Sequence, residues 1–358
     1  MIISRTPYRI SFFGGGTDYP AWYRQHGGAV LGAAIDKYCY LTCRHLPPFF
    51  EHRYRIVYSR IEDCQTVAEI SHPAVKAVLT HLGIDRGVEI HHDGDLPARS
   101  GMGSSSSFTV GLLNALHALE GRMPSRRQLA AEGIHVEQHL IGETVGSQDQ
   151  VLAAFGGVNK LLFTEDDQFS VHPLTIGRSR LADLNDHLLL LYTGITRTAS
   201  EVAASYVANL DGRRRDLRIL RDLVEEAVAI LASGTGLSAF GELLHEAWQV
   251  KRGMGAAVTN DRVDEIYREA RAAGAIGGKL TGAGGGGFML LFAPPGAHRA
   301  VRERLHRLLA VPFRFDSGGS QIIFLDREQD YEREEAVRAR QHLDAFAELQ
   351  LPRAAPAA

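Results

Sequence analysis

Cysteine is scarce: Cys39, Cys43 and Cys64 are the only three in 358 residues, and no two of them form a Cys-x-x-Cys pair. So sparse and odd a set excludes a disulfide framework and a thiolate zinc site, and reads as reduced thiols. Long apolar runs are missing too. Runs such as Leu188 to Tyr192 and Phe288 to Ala293 fall far short of the roughly 20 residues a membrane-spanning helix needs. Arg5, Arg9 and Asp18 stand where a secretory signal would be apolar, so a cytoplasmic chain is expected. Charge of one sign is lacking as well. With 39 Lys and Arg against 42 Asp and Glu, there is no positive field of the kind that nucleic acid or an anionic membrane requires, and neither is expected as a partner. Histidine is plentiful at 16, but His91-His92 and His135 with His139 lack the Cys or carboxylate spacing of a metal site. What is present is 45% hydrophobic residues in a length that suits two lobes.

The most informative stretch runs from Leu96 to Ser107. Gly101-Met102-Gly103 is followed by Ser104, Ser105, Ser106 and Ser107, and then by the apolar segment Phe108 to Leu119. The glycines let backbone approach an anion, and the serines add donors where a helix start leaves N–H groups unpaired. A Ser/Gly linker would not run into a segment apolar on more than one face, so the stretch is read as a phosphate cradle at a helix N-terminus. No Gly-Lys-Ser/Thr follows the glycines, which excludes a Walker A loop.

Periodicity predicts strands over Ile2 to Phe13, Val30 to Leu41, Tyr54 to Tyr58, Gly87 to His91, Asp186 to Tyr192 and Gly286 to Phe292. It predicts helices over Leu129 to Ile141, Ile219 to Leu231, Phe240 to Met254 and Val263 to Ala272. Strands and helices mix without regular alternation, so the fold class is α+β.

Four constellations carry chemistry. On a helical wheel Glu137 falls within the apolar arc of Leu129 to Ile141, where a carboxylate needs a magnesium ion or a cationic partner. Asp149, in Gly146-Ser147-Gln148-Asp149-Gln150, either accepts the proton of an attacking hydroxyl or caps a helix. Arg9 precedes Gly14-Gly15-Gly16-Thr17-Asp18, a permanent charge followed by a tight turn and a hydroxyl-binding carboxylate. Lys279 to Gly287 holds four consecutive glycines before a strand, not the helix a dinucleotide fingerprint demands, and implies close backbone approach to a ligand or to the first glycine turn.

In this order, Pro7 to Tyr19, Pro97 to Ser106 and Lys279 to Gly287 resemble the three motifs of the GHMP kinases, the superfamily of galactokinase, homoserine kinase and mevalonate kinase. The resemblance implies a ribosomal-S5-like N-terminal lobe over 1–198 and a ferredoxin-like C-terminal lobe over 199–350, with 351–358 a frayed tail and the active site between the lobes. It implies ATP and Mg2+. Gly101, Met102, Gly103, Ser104, Ser105 and Ser106 would hold ATP phosphates, and Ser105 with Glu137 would bind magnesium. Asp149 would orient or deprotonate the acceptor hydroxyl while Arg9 favours its alkoxide. Gly14, Gly15, Gly16, Thr17, Asp18, Gly284 and Gly285 would contact the substrate.

Where galactokinases usually read Gly-Glu-His-Thr-Asp-Tyr, this chain has Gly14-Gly15-Gly16-Thr17-Asp18-Tyr19. That form, with Gly142 to Gln150 and Tyr192 to Arg197, looks like the D-glycero-D-manno-heptose 7-phosphate kinases, which phosphorylate an anomeric hydroxyl in the synthesis of activated heptose for bacterial surface polysaccharide. A sugar phosphate needs a cationic pocket, for which Arg197 is the first candidate, with Lys37, Arg178 and Arg180 behind it. Other anomeric sugar kinases, acting on fucose, mannose or galactose, a non-catalytic sugar sensor and the decarboxylase branch of the superfamily are the alternatives, and the sequence leaves a homodimer open.

Overall fold

The computed structural model describes residues 1–98, 100–195, 207, 211–326 and 331–341. Its larger sheet has eight strands: β1 (Ile2–Phe13), β2 (Gly28–His45), β3 (Tyr54–Val57), β4 (Ile61–Cys64), β5 (Val88–Gly94), β6 (Val158–Phe163), β7 (Phe169–Pro173) and β12 (Gln321–Leu325). The smaller sheet has β8 (Leu188–Tyr192), β9 (Gly277–Leu280), β10 (Phe288–Phe292) and β11 (Leu309–Val311), in the order β11-β8-β10-β9. All its pairs are antiparallel.

β1 begins with every second residue buried and is continuously buried from Thr6 onward, because both of its faces become covered there. It pairs β2 along nearly its whole length, with a register shift between Pro7 and Tyr8. Proline, which has no N–H to give, sits where the ladder is interrupted. Beyond Tyr38 β2 pairs β5, and from Gly28 to Ala33 it pairs β6, so one long strand serves two branches of the sheet.

Helices fill the layers around these sheets: α1 (Pro20–His26), α2 (Pro73–Leu82), α3 (Ser104–Leu119), α4 (Arg126–His135), α5 (Gln148–Phe155), α6 (Arg178–Asp186), α7 (Arg214–Ala232), α8 (Ser238–Arg252), α9 (Asp261–Ala272) and α10 (His298–Arg304). α3 packs on β1 and β2 and against α2, α4 and α5. It is buried from Ser106 to His117, as its apolar sequence on more than one face predicts. α7 and α8 also reach β1, so the two sheets share helical cover and one continuous core.

Three expectations change. The helix expected over Leu129 to Ile141 is α-helical only to His135, and Val136–Ile141 is a π-helical turn ended by Gly142 in the left-handed region. That turn breaks the 100° periodicity, so Leu140, expected in the apolar arc, is exposed while Glu137 stays fully buried. Asp186 ends α6 rather than opening β8. A boundary at 198 does not follow the sheets, because β8 precedes it yet belongs to the smaller sheet, and β12 lies well beyond it yet pairs β1. The expected tail, 351–358, lies outside the described residues.

Candidate active site

The end of β1, the loop through Gly101 and Gly103, the first turn of α3, the loop Gly142–Ser147, the first turn of α5 and the last turn of α8 surround a cavity of 280 Å³. Gly101 and Gly103 both have left-handed backbone, φ +77° and +75°, so the chain doubles back and leads into α3 with its first-turn serines at the cavity wall. Gly101, Gly103, Ser104, Ser105 and Ser106 line the cavity as expected of a phosphate cradle. Met102 does not: its side chain is fully buried in the core, and only its carbonyl takes part, accepting from Arg9 N at 3.0 Å.

Arg9 and Asp149 are joined bidentately, Nε to Oδ1 at 2.7 Å and Nη2 to Oδ2 at 2.5 Å. The third arm of the guanidinium donates to Gly101 O at 2.7 Å. The fork thus fixes β1, the phosphate loop and α5 around one carboxylate. Asp149 lies in the first turn of α5 but makes no capping bond, so the simpler helix-cap reading fails. Its side chain is 21% exposed against 5% for Arg9, and both residues line the cavity.

Asp18 is buried at the cavity wall. Its Oδ1 accepts from Gly16 N at 2.9 Å, and its Oδ2 from Gln148 Nε2 at 2.9 Å and Gln148 N at 3.3 Å. Burial raises its pKa, opposed by those hydrogen bonds. A Cβ on Gly146 would lie 2.0 Å from Asp18 Oδ2, which explains the glycine. Gly146→Ala must displace this carboxylate, and the expected result is a KM for the sugar acceptor raised about 10²-fold with nucleotide affinity preserved, measured by steady-state kinetics beside ADP calorimetry.

Glu137 projects from the π-helical turn behind the cradle. Its Oε2 accepts from Ser106 Oγ at 2.8 Å and Gln150 Nε2 at 2.5 Å, while Oε1 is buried with no hydrogen-bond partner. Burial pushes its pKa up to about 7, against the pull of those donors. An orphaned carboxylate oxygen beside a phosphate cradle is a fitting ligand for a hard divalent cation. The hydroxyl that meets Glu137 is that of Ser106, one residue beyond the expected Ser105, which is exposed at the cavity.

The glycine turns divide. Gly15 and Gly16 line the cavity, whereas Gly14 and Thr17 hold the turn itself. A Cβ at Gly14 would lie 1.9 Å from Ala29 O, and Thr17 Oγ1 donates to Gly14 O and Ala29 O. Gly284 and Gly285 likewise pack on Val258 rather than on the cavity, and Gly282 with Ala283 line it instead. Among the cationic candidates, Arg197 lies outside the described residues. Lys37 bonds its neighbour Asp36, Arg180 donates to the carbonyls of Ile230 and Leu231 at the end of α7, and neither these nor Arg178 line the cavity.

Sequence reasoning missed Ser11, Gln148 and Lys251, all of which line the cavity. Ser11 Oγ and Gln148 Oε1 are buried without hydrogen-bond partners. Strand alternation could have placed Ser11 on the side of Arg9, but nothing in the pattern of α8 separates Lys251 from an ordinary surface lysine.

The profile described as the GHMP kinases N terminal domain matches residues 67–157, and that of the GHMP kinases C terminal matches 220–310. The chain is 28% identical over 307 residues to the D-glycero-alpha-D-manno-heptose 7-phosphate kinase of Campylobacter jejuni, across 82% of this chain and 90% of that one. It is 31% identical over 230 residues to the mevalonate kinase of Methanothermobacter thermautotrophicus, across 61% and 70%. The fold is shared with the crystal structure of a D-glycero-D-manno-heptose 1-phosphate kinase from Bacteroides thetaiotaomicron, with a TM-score of 0.76 at 22% identity, covering 91% of this chain and 100% of that one.

Proposed function

The chain belongs to the GHMP kinases, and from that premise we propose that it transfers the γ-phosphoryl group of ATP to the anomeric hydroxyl of D-glycero-D-manno-heptose 7-phosphate, giving the 1,7-bisphosphate. It is an ATP-dependent sugar phosphotransferase, and the proposal concerns the acceptor, the position and the residues. The observation that carries it is the placement of two acidic groups, Asp149 and Asp18, on the wall of one cavity with the phosphate cradle.

Phosphoryl transfer asks mainly for positioning and charge neutralisation. The cradle's serines and the N-terminus of α3 receive the phosphates. Asp18, oriented by Gly16 and Gln148, accepts from sugar hydroxyls. Asp149 accepts the proton of the attacking hydroxyl, and Arg9 holds both its oxygens in place. Arg9 is tied through Nε and Nη2 to Asp149 and through Nη1 to Gly101 O, and its two remaining N–H groups would favour the alkoxide of the acceptor. Glu137 and Ser106 would hold magnesium, which supplies charge neutralisation at the ATP phosphates when bound.

Substrate profiling tests the acceptor. ADP release with mannoheptose 7-phosphate is expected to exceed that with sedoheptulose 7-phosphate, galactose, fucose and mannose by about 10²-fold or more in kcat/KM, since the cavity would bind groups that those sugars lack or misplace. Equal or better turnover of an unphosphorylated sugar would reject the heptose phosphate.

A further inference from the structure

One charged side chain of the cavity has no part in the reaction as described so far. Lys251 comes from the last turn of α8, a place where lysines ordinarily extend into solvent near the helix C-terminus. Here it turns inward to the cavity, and its Nζ donates to Gly282 O at 2.6 Å. Gly282 lies against the phosphate loop, for a Cβ there would stand 2.8 Å from Gly101 Cα and 2.9 Å from Gly101 O. Gly101 O is the atom that receives Arg9 Nη1. One cation, from the strand β1, therefore bonds the cradle glycine Gly101 directly, and the other, from the helix α8, bonds Gly282, which packs against it.

Their situations differ. Arg9 is neutralised by the two bonds to Asp149. Lys251 has no ion-pair partner among the described residues, and its one hydrogen bond leaves two N–H directions unspent. A half-buried ammonium with no carboxylate in ion-pair contact is costly. Burial first, and then repulsion from Arg9, lower its pKa to about 8, against the opposing pull of the Asp18 and Asp149 carboxylates across the cavity. An anion arriving at the cradle would remove both penalties. Arg9 and Lys251 are the only two cations among the described residues lining the cavity, and Lys251 is the one whose charge is not already held in an ion pair.

We propose that Lys251 is a catalytic residue that contacts the γ-phosphoryl group of ATP while it passes to the acceptor. The bond from the γ-phosphorus to the β,γ-bridging oxygen breaks, the bond to the acceptor oxygen forms, the acceptor proton goes to Asp149, and ADP leaves with the bridging oxygen. Lys251 keeps its proton throughout. The inference rests on the kinase reading but not on which sugar accepts.

The test compares wild type with Lys251→Met and Lys251→Arg, after confirming that each melts as a folded protein. Calorimetry with magnesium measures ADP and the non-hydrolysable analogue AMPPNP. Lys251→Met is expected to weaken AMPPNP about 10-fold or more relative to ADP, and Lys251→Arg to recover part of that, as loss and partial return of a charge-assisted bond to the γ-phosphate. With any acceptor that wild type turns over, Lys251→Met should also lower kcat by about 10²-fold. The wild-type kcat/KM for ATP should fall above about pH 8, where the free enzyme loses the ammonium, and Lys251→Arg should move that limb upward. Equal loss of both nucleotides, or of neither, overturns the proposal. So does a raised KM for a sugar phosphate with nucleotide affinities and kcat intact, which would put Lys251 on the acceptor's own phosphate. If no sugar is turned over, the acceptor assignment fails by itself, and the nucleotide comparison still decides Lys251.

Discussion

Asp149→Asn is expected to lower kcat by about 10² to 10⁴-fold, the range by which a positioned general base contributes, while the KM for ATP changes little. The substitution keeps the size of the side chain and one oxygen for Arg9, so α5 and the cradle remain tied to β1. What it removes is the second carboxylate oxygen and the site that accepts the proton. Sugar-dependent ADP release measures the effect. A drop of less than about 5-fold would show that the hydroxyl attacks without Asp149, leaving that residue the positioning partner of Arg9.

Glu137→Gln separates two consequences of one buried carboxylate. In catalysis, the variant loses the anionic ligand and is expected to need far more magnesium, with kcat/KM for ATP down about 10²-fold, the loss of a charged interaction worth roughly 3 kcal/mol. In stability the sign is opposite. The folded-state pKa of about 7 lies above the ordinary 4.5, so the fold holds this proton more tightly than the unfolded chain. Stability from that proton is therefore complete below 4.5 and lost as pH rises through 7, by roughly 3 kcal/mol at pH 8. Glutamine imitates the protonated acid at every pH. Without metal or nucleotide, Glu137→Gln should melt higher than wild type at pH 8 and close to it near pH 4.5, and magnesium with ATP should reverse the order at pH 8. Melting temperatures lower than wild type at pH 8 would mean that the carboxylate is already compensated in the free protein.

The parts of the site visible in sequence are those whose chemistry is contiguous. The Gly101 to Ser107 cradle and the Gly14 to Asp18 turn declare themselves because close approach and unpaired helix N–H groups demand those residue types side by side. Glu137 was legible through burial alone, and it stays inward although the π-helical turn spoils the wheel that pointed to it. What stayed hidden depends on contacts distant in the chain. The wheel of α8 says nothing of the Gly282 carbonyl that draws Lys251 inward. The glycines at 284 and 285 look like ligand contacts until Val258 is found against them. Arg180 looks free for a phosphate until the end of α7 appears beside it. Likewise the fold class follows from pattern, while the crossing of β8 and β12 between regions of the chain does not, since short apolar strands carry no label for their sheet.

That crossing also bears on how the molecule assembles. Ile2 to Arg5 of β1 pair with Gln321 to Leu325 of β12, so the sheet that carries Arg9 acquires its last strand only after some 300 intervening residues have been made. Loop closure over that span must precede the reward of the pairing. During synthesis the first strand therefore waits with an unpaired edge, which is the surface on which a nascent chain is most exposed to association with its neighbours. Ser320, directly before β12, bonds Thr6 and Asn114 through its hydroxyl. The arrival of the late strand thus latches β1 to α3, and maturation of the phosphate cradle waits on the synthesis of β12.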